Sequence, residues 1–153
     1  FNTTVALFSS SPLEEIDANE GAYVSCQDVL FQPSILLKAK EGAEIDALLD
    51  VQKVKTKTAS GGIVNLKGSA VVQYHSVVTG GVVEAATLDS EQVEVRVKAG
   101  GRAAVNASEI AEIKVSLGGS VSVYGQPKQF IKSVAVGGNI EQKSTPAQAP
   151  ENE

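Results

Sequence analysis

The sequence predicts an all-β fold, a right-handed single-stranded parallel β-helix (a solenoid) with about seven coils of about 20 residues each. Three observations support this prediction. Glycine-containing corners recur at a nearly constant spacing, apolar and polar residues alternate on both sides of each corner, and no helical pattern of 10 to 15 residues separates the alternating runs. The composition agrees: with Phe 4, Tyr 3 and no Trp, a core of small and β-branched side chains is expected.

Seven corner segments define the repeat. They are Glu20-Gly21-Ala22, Glu41-Gly42-Ala43, Ser60-Gly61-Gly62, Thr79-Gly80-Gly81, Ala99-Gly100-Gly101, Leu117-Gly118-Gly119 and Val136-Gly137-Gly138. Their first glycines are separated by 21, 19, 19, 20, 18 and 19 residues. A period near 20 indicates one coil per repeat, and glycine permits the backbone angles that such sharp corners need.

The alternation around each corner predicts which side chains face inward. Three residues before and after Gly100 stand Val97 and Ala103, and the equivalent residues around Gly118 are Val115 and Val121. The intervening positions are mostly polar. A period of two on both sides of the corner predicts two half-buried strands per coil, each lying about 4.8 Å from its equivalent in the next coil.

Basic residues occupy the outward positions of the strand before several corners. They form a stripe that is interrupted in the fourth coil by Ser76 and Val78, and its members are Lys38, Lys40, Lys55, Lys57, Arg96, Lys98 and Lys114. One interpretation is a basic face that docks anionic glycans or an acidic partner surface. The alternative is that these charges only keep an exposed sheet soluble and prevent unwanted strand pairing.

No catalytic, metal-binding or cofactor-binding residue is predicted. His75 is the single histidine and falls at an inward position, so we expect a hydrogen-bonded histidine in or near the lumen. Cys26, the single cysteine, aligns with apolar inward residues and is expected to be an inert thiol. The acidic residues Glu44, Asp46 and Glu84 fall at outward positions without an evident cleft around them.

Charge and hydropathy exclude two classes of partner. The net charge of −5 disfavours nucleic acid, and no apolar run reaches the roughly 20 residues of a membrane-spanning helix, so no direct membrane insertion is expected. The chain begins with Phe1 rather than Met, which suggests a processed fragment whose export signal lies outside it.

With its repeats aligned, the chain resembles the bacterial head GIN domain family of auto-transporter adhesins, which is frequent in Bacteroidetes. The resemblance is strongest in VNASEIAEIKVSLGGSVSVYGQPKQFIKSVAVGGNIEQ, from Val105 to Gln142, which contains the aromatic-Gly-x-Pro element Tyr124-Gly125-Gln126-Pro127. It extends over Asn2 to Lys143, although the Gly-Gly and Gly-Ala corners depart from the Gly-Ser-Gly or Gly-Ala-Ser of many members. The resemblance implies a right-handed parallel β-helix, export to the cell envelope or surface, and an adhesive role.

Together these observations predict a β-helix domain over residues 1–143, lacking N-terminal strands that its family carries, and a flexible polar tail over residues 144–153. The predicted function is a non-enzymatic binding or adhesion module of the cell envelope or extracellular space, with a surface glycan or protein as partner. Two alternatives stay open: a polysaccharide-processing enzyme on a β-helix frame, and a purely structural envelope component. The apolar segment FNTTVALF also predicts a homo-oligomer formed through the N-terminal end of the rod.

Overall fold

The computed structural model describes residues 3–144, and regular structure within them consists of β-strands alone. The strands are β1 (Glu15–Ala18), β2 (Tyr23–Ser25), β3 (Leu30–Lys40), β4 (Glu44–Ala59), β5 (Ile63–Val77), β6 (Val82–Val97), β7 (Arg102–Asn106), β8 (Ile110–Ser116), β9 (Ser120–Tyr124), β10 (Gln129–Ala135) and β11 (Asn139–Gln142). Among these residues there is no helix long and apolar enough to cross a membrane.

All strand pairs are parallel, and each residue pairs with its equivalent one coil later. Lys38 pairs with Lys57, for example, and Val77 pairs with Val97. The pairing joins the strands into one continuous sheet that winds along the rod, from β1 through β3, β4, β5 and β6 to β7, β9 and β11, with β8 and β10 continuing from β6. The structure therefore confirms the predicted parallel β-solenoid of about seven turns.

The number of strands per coil differs from the prediction. The central coils contain one continuous strand of 15 or 16 residues, as in β4, β5 and β6, rather than two. In β5 the chain bends without breaking at Gly68, where φ is +111°. Later coils do separate into two strands, β7 with β8 and β9 with β10. Between β9 and β10, Gly125 turns with φ +77° and is followed by Pro127, which lacks an N–H.

The core is a thin lumen filled by stacked inward side chains. One inward ladder contains Leu37, His75, Val95 and Ile113, all between 0% and 3% exposed. Each of these residues packs against its equivalent in the neighbouring coil, so burial repeats with the period of the coil.

Each corner uses two successive residues in the left-handed region. The residue before the first glycine has φ between 41° and 56°, and the glycine itself has φ between 72° and 79°. In the third corner the Gly62 N–H donates to the Ala59 carbonyl at 2.9 Å, which closes the turn, while the Gly61 N–H donates to the Thr79 carbonyl of the next corner at 3.3 Å. The corners therefore stack on one another through backbone hydrogen bonds.

Val136 is the residue least suited to its corner. Its φ is 41°, a conformation that is costly for a β-branched residue, and its side chain is 76% exposed. We expect Val136→Asn to stabilise the domain by about 1 kcal/mol, because asparagine tolerates left-handed angles and little packing is lost. Urea denaturation followed by circular dichroism measures this. Val136→Ala is the control, because alanine also pays the energetic cost of left-handed backbone angles. Equal stability of the unaltered domain, Val136→Asn and Val136→Ala would show that Val136 is not strained.

The two ends of the described chain differ from the central coils. Residues 3–14 form no strand, and Val5, Leu7 and Phe8 are 80%, 80% and 92% exposed. The homo-oligomer expected through this end stays a prediction. Residues 145–153, nearly all of the predicted tail, lie outside the described residues.

Candidate functional site

Five outward positions in register form a line along the rod, here called the central ladder. It consists of Lys38 on β3, Lys57 on β4, Ser76 on β5, Arg96 on β6 and Lys114 on β8. With adjacent strands about 4.8 Å apart, the ladder extends over about 19 Å. Lys57, Arg96 and Lys114 are exposed, whereas Lys38 is half-buried. The solenoid thus places four cations in one line, with one gap at Ser76.

Beside the central ladder lies a second line of outward residues, the flanking ladder. It contains Leu36, Lys55, Tyr74, Glu94 and Glu112. Glu94 Oε1 lies 3.2 Å from the Arg96 guanidinium, and Glu112 Oε1 lies 3.5 Å from Lys114 Nζ. Both ion pairs are largely exposed, so they contribute little to stability. Their effect is to make the positive strip only one side chain wide on β6 and β8.

The positive charge is densest on β4. Lys53, Lys55 and Lys57 all project outward, and Nζ of Lys53 and of Lys55 lie 5.9 and 5.8 Å from the centre of the Tyr74 ring. These distances are within cation–π range, so the two lysines help to hold the tyrosine in place. Lys53 and the role of Tyr74 were missed by the sequence reasoning. The alternation in QKVKTKT was the signal for Lys53, whereas the contact with Tyr74 depends on the strand register.

The other predicted stripe residues occupy different settings. Lys38 Nζ lies 2.8 Å from Glu15 Oε1, and this carboxylate raises the pKa of the lysine. Lys40 is half-buried and pairs in register with Ala59, so it has no basic neighbour in that pair. Lys98 lines a shallow depression of about 240 Å³ together with Arg96, Lys114 and small residues of β8 and β10.

The structure thus forms one basic surface from six residues of the predicted stripe and three additional residues, Lys53, Tyr74 and Ser76. We call it the basic face and define it as the central ladder together with Lys53, Lys55, Tyr74 and Lys98. Lys40 lies outside this definition.

His75 belongs to a polar chain inside the lumen and not to the basic face. Its Nδ1 lies 2.7 Å from Thr56 Oγ1, and its Nε2 lies 2.6 Å from Gln73 Oε1, whose amide Nε2 donates to the Leu88 carbonyl at 3.1 Å. Because the Gln73 oxygen can only accept, the Nε2 of His75 carries the proton and Nδ1 accepts from the Thr56 hydroxyl. Burial lowers the pKa of His75 to about 3, so the ring is neutral at physiological pH. The predicted inward position is confirmed.

Cys26 is half-buried beside the core. Burial raises the pKa of its thiol, which keeps it protonated and poorly nucleophilic at neutral pH. This environment agrees with the inert thiol expected from the sequence.

A second depression, of about 370 Å³, is lined by residues near the middle of β4, β5 and β6 and is polar and acidic. Asp50, Ser69 and Asp89 stand in register there, and the Asn106 amide donates to Asp89 Oδ1 at 3.2 Å. Within residues 3–144 no Lys or Arg lines this depression. In the same range, no three His, Cys, Asp or Glu side chains are grouped as a metal site would require. Carboxylates here would repel an anionic ligand.

The family assignment rests on a match to a family model. Residues 2–127 match the family model described as "Putative auto-transporter adhesin, head GIN domain". The chain belongs to this family. No curated protein matches the sequence significantly. The family description names an adhesin, and the bacterial origin implied by the resemblance is consistent with the solved structures that the domain resembles.

Two solved structures share the fold of this head GIN domain. One is a putative adhesin from Bacteroides fragilis, with 23% identity and a TM-score of 0.79 over 85% of this chain. The other is a putative lipid binding protein from Parabacteroides distasonis, with 17% identity and a TM-score of 0.78 over 86% of this chain. The matches cover only 60% and 55% of those two proteins, and at these identities they establish the fold alone.

Proposed function

We propose that this domain is an exported, non-enzymatic binding module whose basic face docks a linear acidic polysaccharide at a cell surface. The observation that carries the proposal is the register of the central ladder, which sets Lys57, Arg96 and Lys114 in one line along the rod. Membership of an adhesin family supports a surface-binding role and export.

The repeat of the fold suits a polymeric ligand. Successive positions of the central ladder are separated by about 4.8 Å, a spacing similar to the length of one sugar unit in an extended chain. A polyuronate carries one carboxylate on every ring, so consecutive rings can each reach a cation when the polymer lies parallel to the rod. Several weak ion pairs then act together, which gives useful affinity although each exposed pair contributes little.

The width of the basic face favours a linear chain over a lipid surface. Glu94 and Glu112 belong to the flanking ladder. Their carboxylates lie beside Arg96 and Lys114 of the central ladder, at 3.2 and 3.5 Å. An anionic membrane is a two-dimensional array of charge, and it would meet these carboxylates as well as the cations. A single polysaccharide chain can follow the central ladder alone.

The enzymatic alternative finds weaker support. It would require a cleft with two carboxylates near a cation, yet the depression containing Asp50 and Asp89 is shallow, and none of its described lining residues is basic. Asp89 is also held by Asn106, and Asp50 lies 3.5 Å from the Ser69 hydroxyl. Under the purely structural alternative the exposed cations only keep the sheet soluble and prevent strand pairing, so their reversal should leave polysaccharide binding unchanged.

Charge reversal on the central ladder tests the proposal. We expect the triple variant Lys57→Glu, Arg96→Glu, Lys114→Glu to weaken binding of polygalacturonate on the order of 100-fold at low salt, because three attractive contacts become repulsive. Isothermal titration calorimetry or biolayer interferometry measures the affinity, and affinity of the unaltered domain should fall as salt is raised.

The matched control is the triple variant Lys67→Glu, Arg102→Glu, Lys128→Glu, which makes the same change in net charge at exposed residues away from the basic face. It should change affinity by less than about threefold. Equal losses in both triple variants would mean that net charge alone matters and would overturn the proposal. Binding to anionic phosphatidylglycerol vesicles but not to the polysaccharide would identify a lipid surface instead.

A further inference from the structure

The gap in the central ladder, at Ser76, is surrounded by two cationic side chains and an aromatic ring. Ser76 is exposed and pairs in register with Lys57 on one side and with Arg96 on the other. Tyr74 precedes it by two residues on the same strand and therefore projects from the same face. A short hydroxyl side chain thus lies between two long cationic side chains and beside an aromatic ring.

The dimensions of this gap fit one ring of a sugar. The backbones that carry Lys57 and Arg96 are two strand spacings apart, about 9.6 Å, and Ser76 fills only the base of the space between them. A lysine or arginine at this position would have continued the line of charge. The small residue instead leaves a space, here called the recess, between Lys57 and Arg96; the Arg96 guanidinium lies 3.2 Å from Glu94 Oε1, so an acidic ligand would share Arg96 with this carboxylate.

The aromatic ring beside the recess is both exposed and held in place. Tyr74 is 37% exposed, and Nζ of Lys53 and of Lys55 lie 5.9 and 5.8 Å from the centre of its ring, within cation–π range. An exposed tyrosine in a basic setting offers an apolar surface to the C–H groups of a sugar while the neighbouring cations attract its acidic group. Within residues 3–144 Lys57 has no carboxylate within ion-pair distance, so its ammonium group is available to a ligand.

We propose that the recess at Ser76 is the subsite for a single hexuronate unit, with the sugar ring against Tyr74 and its carboxylate bound by Lys57 and Arg96. The Ser76 hydroxyl hydrogen-bonds to the ring substituents. This inference rests on the proposed function and deepens it, because it replaces a uniformly charged line by one specific sugar subsite. The ligand class is therefore an acidic sugar and not any linear polyanion.

Substitution of Ser76 separates the subsite from simple charge attraction. Ser76→Lys fills the recess and adds a positive charge to the central ladder. If charge alone decides binding, this variant binds polygalacturonate more tightly than the unaltered domain. If the recess receives a sugar ring, the variant binds at least about threefold more weakly despite its added charge, since a filled recess excludes the ligand. Ser76→Ala, which keeps the recess, should stay within about threefold of the unaltered domain.

A second comparison tests the aromatic contact. Polyphosphate is a linear polyanion without rings, so it can use the cations but not Tyr74. We expect Tyr74→Ala to weaken polygalacturonate binding about tenfold and to leave polyphosphate binding within about twofold, because only the sugar loses a stacking surface. Tyr74→Phe, which keeps the ring, should bind polygalacturonate nearly as the unaltered domain does.

These experiments distinguish failure of the subsite from failure of the proposed function. Tighter binding by Ser76→Lys, or equal losses for both polymers in Tyr74→Ala, would overturn the subsite while the charge-reversal result still stood. Loss of polygalacturonate affinity in Ser76→Lys together with ligand-selective loss in Tyr74→Ala would support it. Circular dichroism of each variant checks that the solenoid is intact, which is expected because both side chains are exposed.

Discussion

Replacement of Gly62 by alanine is expected to destabilise the domain by at least about 3 kcal/mol and to prevent much of the chain from folding at 37 °C. A Cβ atom added at Gly62 would lie 1.9 Å from the Ala39 carbonyl oxygen and 2.4 Å from its carbon. These are backbone atoms of β3, which is bonded to β4 along its length, so they cannot move aside without breaking the stack of coils.

Gly61 in the same corner provides the matched control. It has φ +77°, but an added Cβ would meet nothing within 4 Å. Gly61→Ala should therefore cost only the left-handed conformation, about 1 to 2 kcal/mol. Urea denaturation of both variants measures the difference. If Gly62→Ala and Gly61→Ala lowered the free energy of unfolding equally, the close approach of the Ala39 carbonyl would not be the reason that residue 62 is glycine.

The stability of the domain is expected to fall as the pH drops from about 6.5 towards 3, because of His75. Burial lowers the folded-state pKa of this residue to about 3, while in the unfolded chain it titrates near 6.5. Between these values the unfolded state binds a proton and the folded state does not. The free energy of unfolding therefore contains a contribution that is complete above pH 6.5 and is lost as the pH falls, up to about 5 kcal/mol.

The titration of the His75 ring can be observed without overlap, because it is the only histidine in the chain. Between pH 5 and 7 its ring should show no titration in the NMR spectrum of the folded domain, while urea midpoints should decrease towards pH 5. In His75→Val, which places the residue of the equivalent position in β6 at this site, the decrease should be largely absent whatever the absolute stability. A folded-state ring that titrates near pH 6.5 would contradict the buried neutral histidine.

Much of the fold follows from spacing alone. The corners at a period near 20 locate the turns, and the alternation around them identifies inward residues such as Val97, Ala103 and Val121, which are 1% exposed. The inward residues can be identified in this way because every coil of a solenoid buries one side of each strand, so the same alternation recurs in each repeat. The inward position of His75 follows from the same alignment, although its polar partners Thr56 and Gln73 do not.

The candidate site was less predictable, because it depends on exact pairing between strands. The alternation indicates that Lys55, Arg96 and Lys114 point outward, but only the register shows that Lys55 lies beside Tyr74 and that Arg96 lies beside Lys114. The ion pairs with Glu94 and Glu112 likewise depend on side-chain conformations. The continuous strands β4, β5 and β6 were missed because the chain bends within them without ending the strand, even at Gly68 of β5.

Mapping the binding surface by NMR would test whether the basic face binds an acidic polysaccharide. Backbone amide shifts of the labelled domain would be followed during titration with a short oligogalacturonate at low salt. We expect the largest changes along the outward positions Lys57, Ser76, Arg96 and Lys114, and we expect them to weaken with added salt. Changes centred on the acidic depression around Asp50 and Asp89, or at the ends of the rod, would contradict it.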